Sequence, residues 1–520
     1  MIGNLTKDFE TSSGWQYNNQ TFSYINIIMF KNTKGFCLKA VLIVVALIVV
    51  VIAVVIYAVR HIGIDDVLNN SFVQEQIIKQ ADKDKDSLFS FLPHALGISQ
   101  PRTYLLLFLN NTELRPGGGF IGSYATVRME HGKMELLALE GTEKIDARTP
   151  DDWRPSPPYI LKDHLNVDRW YFRDANWWPD FALSAQKALV LYKGEGGIVA
   201  DDIDAVVGVT THVLEDILKI TGPVTVDGVT FDADNAIATL EYEVEYGYDD
   251  KGIHFSERKD IMKPFMLALL DKMKDTIIGN FSEYEPVFKK LISEKHIMMY
   301  SDDEAFSALI RHMNMDATMK QTQGDYMLWS DANLAALKTD HVMKRTLHYT
   351  LTPHTATSDD DEDYFIARVA MNYQHFGVFD WRTTRYRTYA RVFVPEGSEL
   401  IKTNGSMRWD RTTDEGVVDS GIEYGKTWFA TFIAIEPGKT GELSFVYKLP
   451  ASLTSAINTG NYHLDIQKQP GAGVYDVLLD LDFNKNISSA HPAEESGKWG
   501  DDVYQFMMDL RVDREFEVSL

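Results

Sequence analysis

One cysteine, Cys37, in a chain of 520 residues excludes an internal disulfide and any cysteine-built zinc site. The fourteen histidines contain no H-E-x-x-H spacing, and no G-x-S-x-G elbow is present, so histidine-zinc and serine-hydrolase chemistry lack their usual frames. Basic side chains are scarce: 51 against 75 acidic ones leave a formal net charge of −24, which opposes nucleic acid as a partner. The acid run TSDDDED, with five acids from Asp359 to Asp363, lacks the glycine and terminal glutamate of an EF-hand loop and reads as a solvated connection. Stability must come from packing.

What is present begins with an apolar run. Ala40 to Val59 is twenty residues without a charge, and at about 1.5 Å per helical residue it reaches about 30 Å, the thickness of a bilayer's hydrocarbon core. Residues 40–60 are therefore expected to form one transmembrane helix. A cleaved signal peptide fits poorly, since thirty-nine residues precede the run. Lys31, Lys34 and Lys39 stand before it and Asp65 and Asp66 after it, so the positive-inside bias predicts a cytoplasmic tail at 1–39 and an extracytoplasmic main body at the cell membrane.

Residues 61–98 carry apolar positions at helical spacing and are expected to form a stalk. From 99 to 335 short strands alternate with amphipathic helices, Phe181 to Tyr192, Val213 to Ile220, Asn235 to Tyr242 and Arg258 to Ile278 among them, which predicts an α/β domain. From 336 to 520 alternating runs such as Tyr364 to Tyr373, Tyr386 to Val394, Thr427 to Ile435 and Asn461 to Gln467 predict a β-sandwich.

The stretch Asn110 to Ser123, NNTELRPGGGFIGS, has the densest chemistry. An apolar run ends in a turn with Glu113 and Arg115 at its mouth and Gly117, Gly118 and Gly119 in succession. Two readings stand: the glycines serve a tight turn, or their N–H groups cradle an anion as a nest. Further on, RDANWWPDF, Arg173 to Phe181, places Trp177 and Trp178 where they can stack on a sugar ring or plug a domain edge.

The ordered motifs NNTELRPGGGFIGS, RDANWWPDF, DIDAVVGVTTHVLEDILKITGPVTVDG, ERKDIMKPF, YRTYARVFVPEGSEL and QKQPG resemble a bacterial membrane-protein family known only as domain of unknown function 4012. The stretch from 100 to 275 is also similar, more distantly, to the LytR–CpsA–Psr enzymes, which transfer glycopolymers from a polyprenyl-pyrophosphate carrier to the cell wall. Leu105 to Arg115 resembles their arginine-and-acid turn, Ile203 to Val226 a second family segment, and Glu257-Arg258-Lys259 the helix start after it. Their S-I-P-R-D turn is not found; EGTEKID, with Lys144 and Asp146, stands in its approximate place.

That likeness implies an α/β sandwich fold for the first domain and a pyrophosphate site. Arg115, Arg173, Arg258 and Lys259 would be its donors, Asp174 or Glu113 the assisting acid, and Asp146 and Asp174 the ligands of Mg²⁺. The competing structural reading joins the same arginines and acids as internal ion pairs. Two functions remain open at this level. One is a binding or structural module of the bacterial cell envelope that meets a lipid-linked or cell-wall glycan; the other is a phosphotransferase.

Overall fold

The computed structural model describes Ile78 and residues 88–254, 257–259, 261–335, 337–358 and 362–520. The expected cytoplasmic tail, the apolar run 40–60 and most of the stalk fall outside them. Among the described residues no helix is long and apolar enough to cross a membrane.

The first domain is built on a central strand, β1, Arg102–Asn110. It pairs antiparallel with β2, Phe120–Glu130, and parallel with β4, Ala205–Thr210. β3, Lys133–Gly141, extends one edge. After the hairpin of β5, Val224–Val226, and β6, Val229–Phe231, strand β7, Ile297–Ser301, closes the other edge. The resulting order is β3-β2-β1-β4-β7.

Because strand side chains alternate, β1 feeds two cores at once. Tyr104 and Leu106 enter one apolar cluster, and Leu105, Leu107 and Leu109 enter the other. Helices Thr211–Thr221, Met262–Ser293, Glu304–His312 and Leu88–Ala95 cover the first face through Ile217, Leu269, Phe306 and Phe91. Helix Phe181–Gly194 covers the second with Phe181, Ala185, Ala188 and Leu191. Asp180 caps that helix by accepting from Leu183 N at 3.2 Å, and its other oxygen accepts from Met319 N at 2.9 Å.

The second part is a pair of packed sheets, one of six strands and one of seven, around a core that includes Trp329, Tyr349, Val369, Val392 and Phe445. Its first strand, Asp325–Asn333, lies inside the stretch 99–335 assigned from sequence to the α/β domain, so the sandwich starts before 336. The strand is buried along its whole length, and the seven-stranded sheet presses its outer face on the α/β domain, where Ala332, Tyr389 and Ala430 join Trp177 and Ala317 in one cluster. Two acids, Asp325 and Asp331, break the apolar run that would have announced a buried strand.

Asp325 is fully enclosed. One oxygen accepts from Tyr462 Oη at 2.6 Å and from Tyr349 Oη, the other from Tyr326 N at 2.8 Å. Burial pushes its pKa up to about 6, with the two phenols opposing. A carboxyl whose folded pKa is raised holds its proton longer in the folded state, so stability is lost as pH rises from the ordinary aspartate value through the folded one. Asp325→Asn is expected to remove that loss: its stability relative to the unaltered protein improves by about 3 kcal/mol between pH 4 and pH 7. Denaturant unfolding of both proteins across this range checks it, and parallel curves would refute it.

Candidate functional site

The glycine turn lies where the two domains meet. Gly118 and Gly119 have φ of 122° and 143°, and Gly471 of the QKQPG motif has φ of 68°. A side chain at Gly471 would overlap the backbone of Gly118, one at Gly119 would come within 2.6 Å of Asn110, and one at Gly117 within 2.7 Å of Ser184 Oγ. Glycines of both domains thus permit a backbone-to-backbone approach. Around it, Asn111 Nδ2 donates to Gly471 O at 3.0 Å, Gln469 Nε2 to Arg115 O at 3.1 Å, and Gly471 N to Lys295 O at 3.0 Å. Of the two sequence readings, turn geometry is the one these contacts support: Gly118 N donates to Arg115 O at 3.0 Å, and Gly117 N to Asn176 O at 3.0 Å.

Arg115 is buried, and its guanidinium faces its own protein. Nη2 lies 3.1 Å from Glu113 Oε1 and 3.5 Å from Asp174 Oδ1, and Nη1 donates to Asn333 O in the first sandwich strand. Burial pushes the Glu113 carboxyl up, and the Arg115 charge pulls it back. Leu114 N donates to Asp340 Oδ2 at 2.9 Å, and Asp340 is held by Arg345, whose Nε lies 3.0 Å from Asp331 Oδ2. Arg173 shares Asp174 with Arg115, at 3.7 Å from its Oδ2, and lies 2.9 Å from Asp146 Oδ2. Asp146 also faces Glu195, and burial together with that neighbour pushes Glu195 up strongly, so the pair retains a proton.

The proposed Mg²⁺ ligands, Asp146 and Asp174, are therefore already engaged with arginine, and among the described residues no group of three or more histidine or carboxylate side chains is arranged to hold a metal. Trp177 is buried against Tyr389, with ring centroids 6.1 Å apart, and Arg391 of the sandwich lies 5.0 Å over it. Trp178 packs on Trp170 at 5.7 Å. Trp177 fills the domain junction, as the plug reading requires of it. Arg258 contributes to the electrostatics of Glu245 and Lys259.

Beside this junction lies an apolar cavity of about 190 Å³. Its walls come from β1, β4 and three helical segments, through Phe108, Val209, Leu214, Leu240, Phe265 and Leu269. Lys259, Glu241, Glu245 and Lys338 supply its charged lining. Lys259 Nζ donates to Glu143 Oε2 and Gly122 O, each at 2.5 Å; burial lowers its pKa and Glu143 raises it. Lys338 Nζ lies 3.0 Å from Glu245 Oε1.

A second, polar cleft of about 310 Å³ opens between the domains, with Asn111, His212, Glu215, His341 and Arg382 in its walls. Thr211 and Ile237 line both spaces, so they adjoin. Glu241 stands at the division: it accepts from Asn110 Nδ2 at 2.8 Å and Thr112 Oγ1 at 2.6 Å, and Arg382 Nε lies 2.5 Å away. Burial and the Lys468 charge lower the His212 pKa to about 4, so its ring is neutral near pH 7. Of the candidate site residues proposed from sequence, Lys259 alone lines the cavity. Glu241, Lys338 and Arg382 had no motif to announce them, since their meaning comes from which helix and which sheet they join.

Fold and site together define a mixed α/β domain clamped to a β-sandwich, with an amphipathic pair of cavities beside the clamp. Residues 99–245 match the family described as "Protein of unknown function (DUF4012)", so the resemblance carried by the motifs is shown over that stretch. No curated protein matches the chain. Among solved structures, a protein of Legionella pneumophila provisionally described as nutrient binding is 10% identical and has a TM-score of 0.24, covering 38% of this chain and 71% of its own. An M1 zinc metallopeptidase from Deinococcus radiodurans is 12% identical with a TM-score of 0.16, covering 38% of this chain and 43% of that one. Likenesses this low carry no argument, and the LytR–CpsA–Psr likeness is not shown by any of these matches.

Gly471→Ala is expected to lower stability by about 2–4 kcal/mol, because a side chain there meets both a left-handed backbone and the Gly118 peptide. Gly473→Ala, where a side chain would meet open space, is the control. Thermal unfolding that treats the two substitutions alike would remove the close approach from the account.

Proposed function

We propose that this protein is a binding module of the bacterial cell envelope, tethered by the apolar run 40–59, and that its ligand is an amphiphile with one apolar chain. The observation that carries the reading is the cavity lined by Phe108, Leu214, Leu240 and Phe265, with the polar cleft adjoining it. An apolar void on the order of 150 Å³ is large enough to take up a small hydrocarbon, so about 190 Å³ suits a segment of an acyl or isoprenoid chain. Glu241, Lys338 and Lys259 then stand near the ligand's polar end, and the cleft with His212, Glu215 and Arg382 offers donors and acceptors of both signs, which matches a glycan head better than a lone anion.

Binding is preferred to phosphoryl transfer because of how the arginines are used. Transfer from a pyrophosphate needs cations free to meet the developing charge, whereas Arg115 and Arg173 already hold Glu113, Asp174 and Asp146. With no cation donated by that cluster, neither Asp174 nor Glu113 has a substrate to assist.

The test uses the full-length protein and the fluorescent fatty acid cis-parinaric acid. Saturable enhancement of its emission, displaced by palmitate, is expected. Leu214→Trp, which places an indole in the cavity, should lower the apparent affinity at least tenfold while leaving the far-UV circular dichroism unchanged. Equal binding by both proteins, or none by the unaltered one, would overturn the reading.

A further inference from the structure

The loop between strands Tyr364–His375 and Tyr386–Pro395 exposes large apolar side chains to an unusual degree. Phe376, Val378 and Phe379 are 70%, 67% and 56% exposed, three within four residues. Hydrogen bonds hold the loop in this form. Phe376 N donates to Val342 O at 3.0 Å, Gly377 N to His375 Nδ1 at 3.1 Å, and Asp380 N to Thr383 O at 3.1 Å. Asp380, the acid of the loop, turns back: its Oδ1 accepts from Arg382 N at 2.8 Å and Thr383 N at 2.6 Å. The tip that remains is apolar.

Its surroundings are graded in polarity. Trp381 meets Tyr242 and Tyr246 edge-on, with centroids 5.6 Å away in each case, and both tyrosines are exposed. The Arg385 guanidinium lies 5.7 Å over the Phe379 ring. Exposure rises from Arg385, which is held by Asp410 and Glu436, through Tyr242 and Tyr246 to Phe379, Val378 and Phe376. An apolar tip ringed by Tyr and Trp matches the acyl region and the interface of half a bilayer. A protein partner would ask for a broad face of about 800 Å² on each side, which three side chains on a loop tip do not offer.

We infer that the Phe376–Phe379 tip, with Tyr242, Tyr246 and Trp381 around it, is a membrane-docking surface that inserts into the outer part of a phospholipid bilayer. The helical segment bearing Tyr242 and Tyr246 also contributes Leu240, Glu241, Val244 and Glu245 to the apolar cavity, so the docked tip would lie beside the entrance to it. This last point rests on the proposed chain-binding role; the exposure, the inward acid and the polarity gradient do not. Residues 61–87 separate the expected span from the helix Leu88–Ala95, and a chain of that length reaches roughly 40 Å as the expected helical stalk and roughly 90 Å when extended. Docking and tethering to one bilayer are therefore compatible.

The experiment reads depth directly. Full-length protein carrying Cys37→Ser and Val378→Cys is labelled with a nitroxide, placed in phosphatidylcholine–phosphatidylglycerol vesicles, and its collisions with oxygen and with a soluble nickel chelate are compared. The control label is at Met507→Cys, 72% exposed on the strand Val503–Asp509. At 378, oxygen access is expected to exceed nickel access several-fold, while 507 remains open to nickel. Adding Phe376→Ser and Phe379→Ser should return position 378 to the pattern of 507. Equal nickel access at 378 and 507 would overturn the proposal, and exclusion of both reagents at 378 would do so by showing a protein partner, such as a second copy, on the tip. Leu214→Trp should keep the pattern at 378, so failure of the chain-binding reading and failure of docking are told apart.

Discussion

The buried guanidinium of Arg115 is the constraint on which the arrangement of the two domains depends. It sits between Glu113 and Asp174 of the α/β domain and reaches the backbone carbonyl of Asn333 in the sandwich. Taking such charges out of water costs several kcal/mol for each ion, so the cluster holds only if every partner is in place. That condition fixes the turn from Asn110, the short helical stretch with Arg173 and Asp174, and the first sandwich strand relative to one another. The glycines follow from it, because the turn must pass within backbone contact of Gly471 for Gln469 to reach Arg115 O.

Seen this way, the spread of motifs along the chain has one physical cause. NNTELRPGGGFIGS, RDANWWPDF and QKQPG are far apart in sequence and adjacent at the junction. Trp177, between Tyr389 and Arg391, gives the junction its apolar part, and the Arg115 cluster gives it direction. The cavity and the cleft lie to one side, and Glu241 couples them to the junction through Asn110, Thr112 and Arg382. A ligand in either space would therefore be sensed by both domains.

Much of the fold was legible because its signals are local. Strands Tyr364–His375 and Asn461–Gln467 and helix Phe181–Gly194 follow alternation, apolar spacing and a capping aspartate that are visible in the letters. Asp325–Asn333 was not legible, since Asp325 and Asp331 are satisfied by tyrosines, a threonine and an arginine from distant strands. Helix Met262–Ser293 runs on past Ile278, where the sequence reading ends it, and continues through Pro286. For the site, sequence found the charged residues of the turn but left open whom they serve. That choice depends on Asn333, Asp174 and Gln469, which only the tertiary structure brings to Arg115. The cavity was invisible for the same reason, as its walls are ordinary core-facing positions until the helices are placed.

The central claim is that Arg115 is an internal clamp, and its unfolding free energy tests this most directly. Arg115→Ala leaves the buried Glu113 carboxylate without its cation and Asp174 with Arg173 alone, and a loss of about 3–5 kcal/mol is predicted. Neutralising the acids as well, with Glu113→Gln and Asp174→Asn in the Arg115→Met background, should recover a substantial part of that loss. If Arg115→Ala instead unfolded like the unaltered protein and lost only the ability to bind an anionic ligand, the clamp would be contradicted, and the arginine would belong to a site open to the outside.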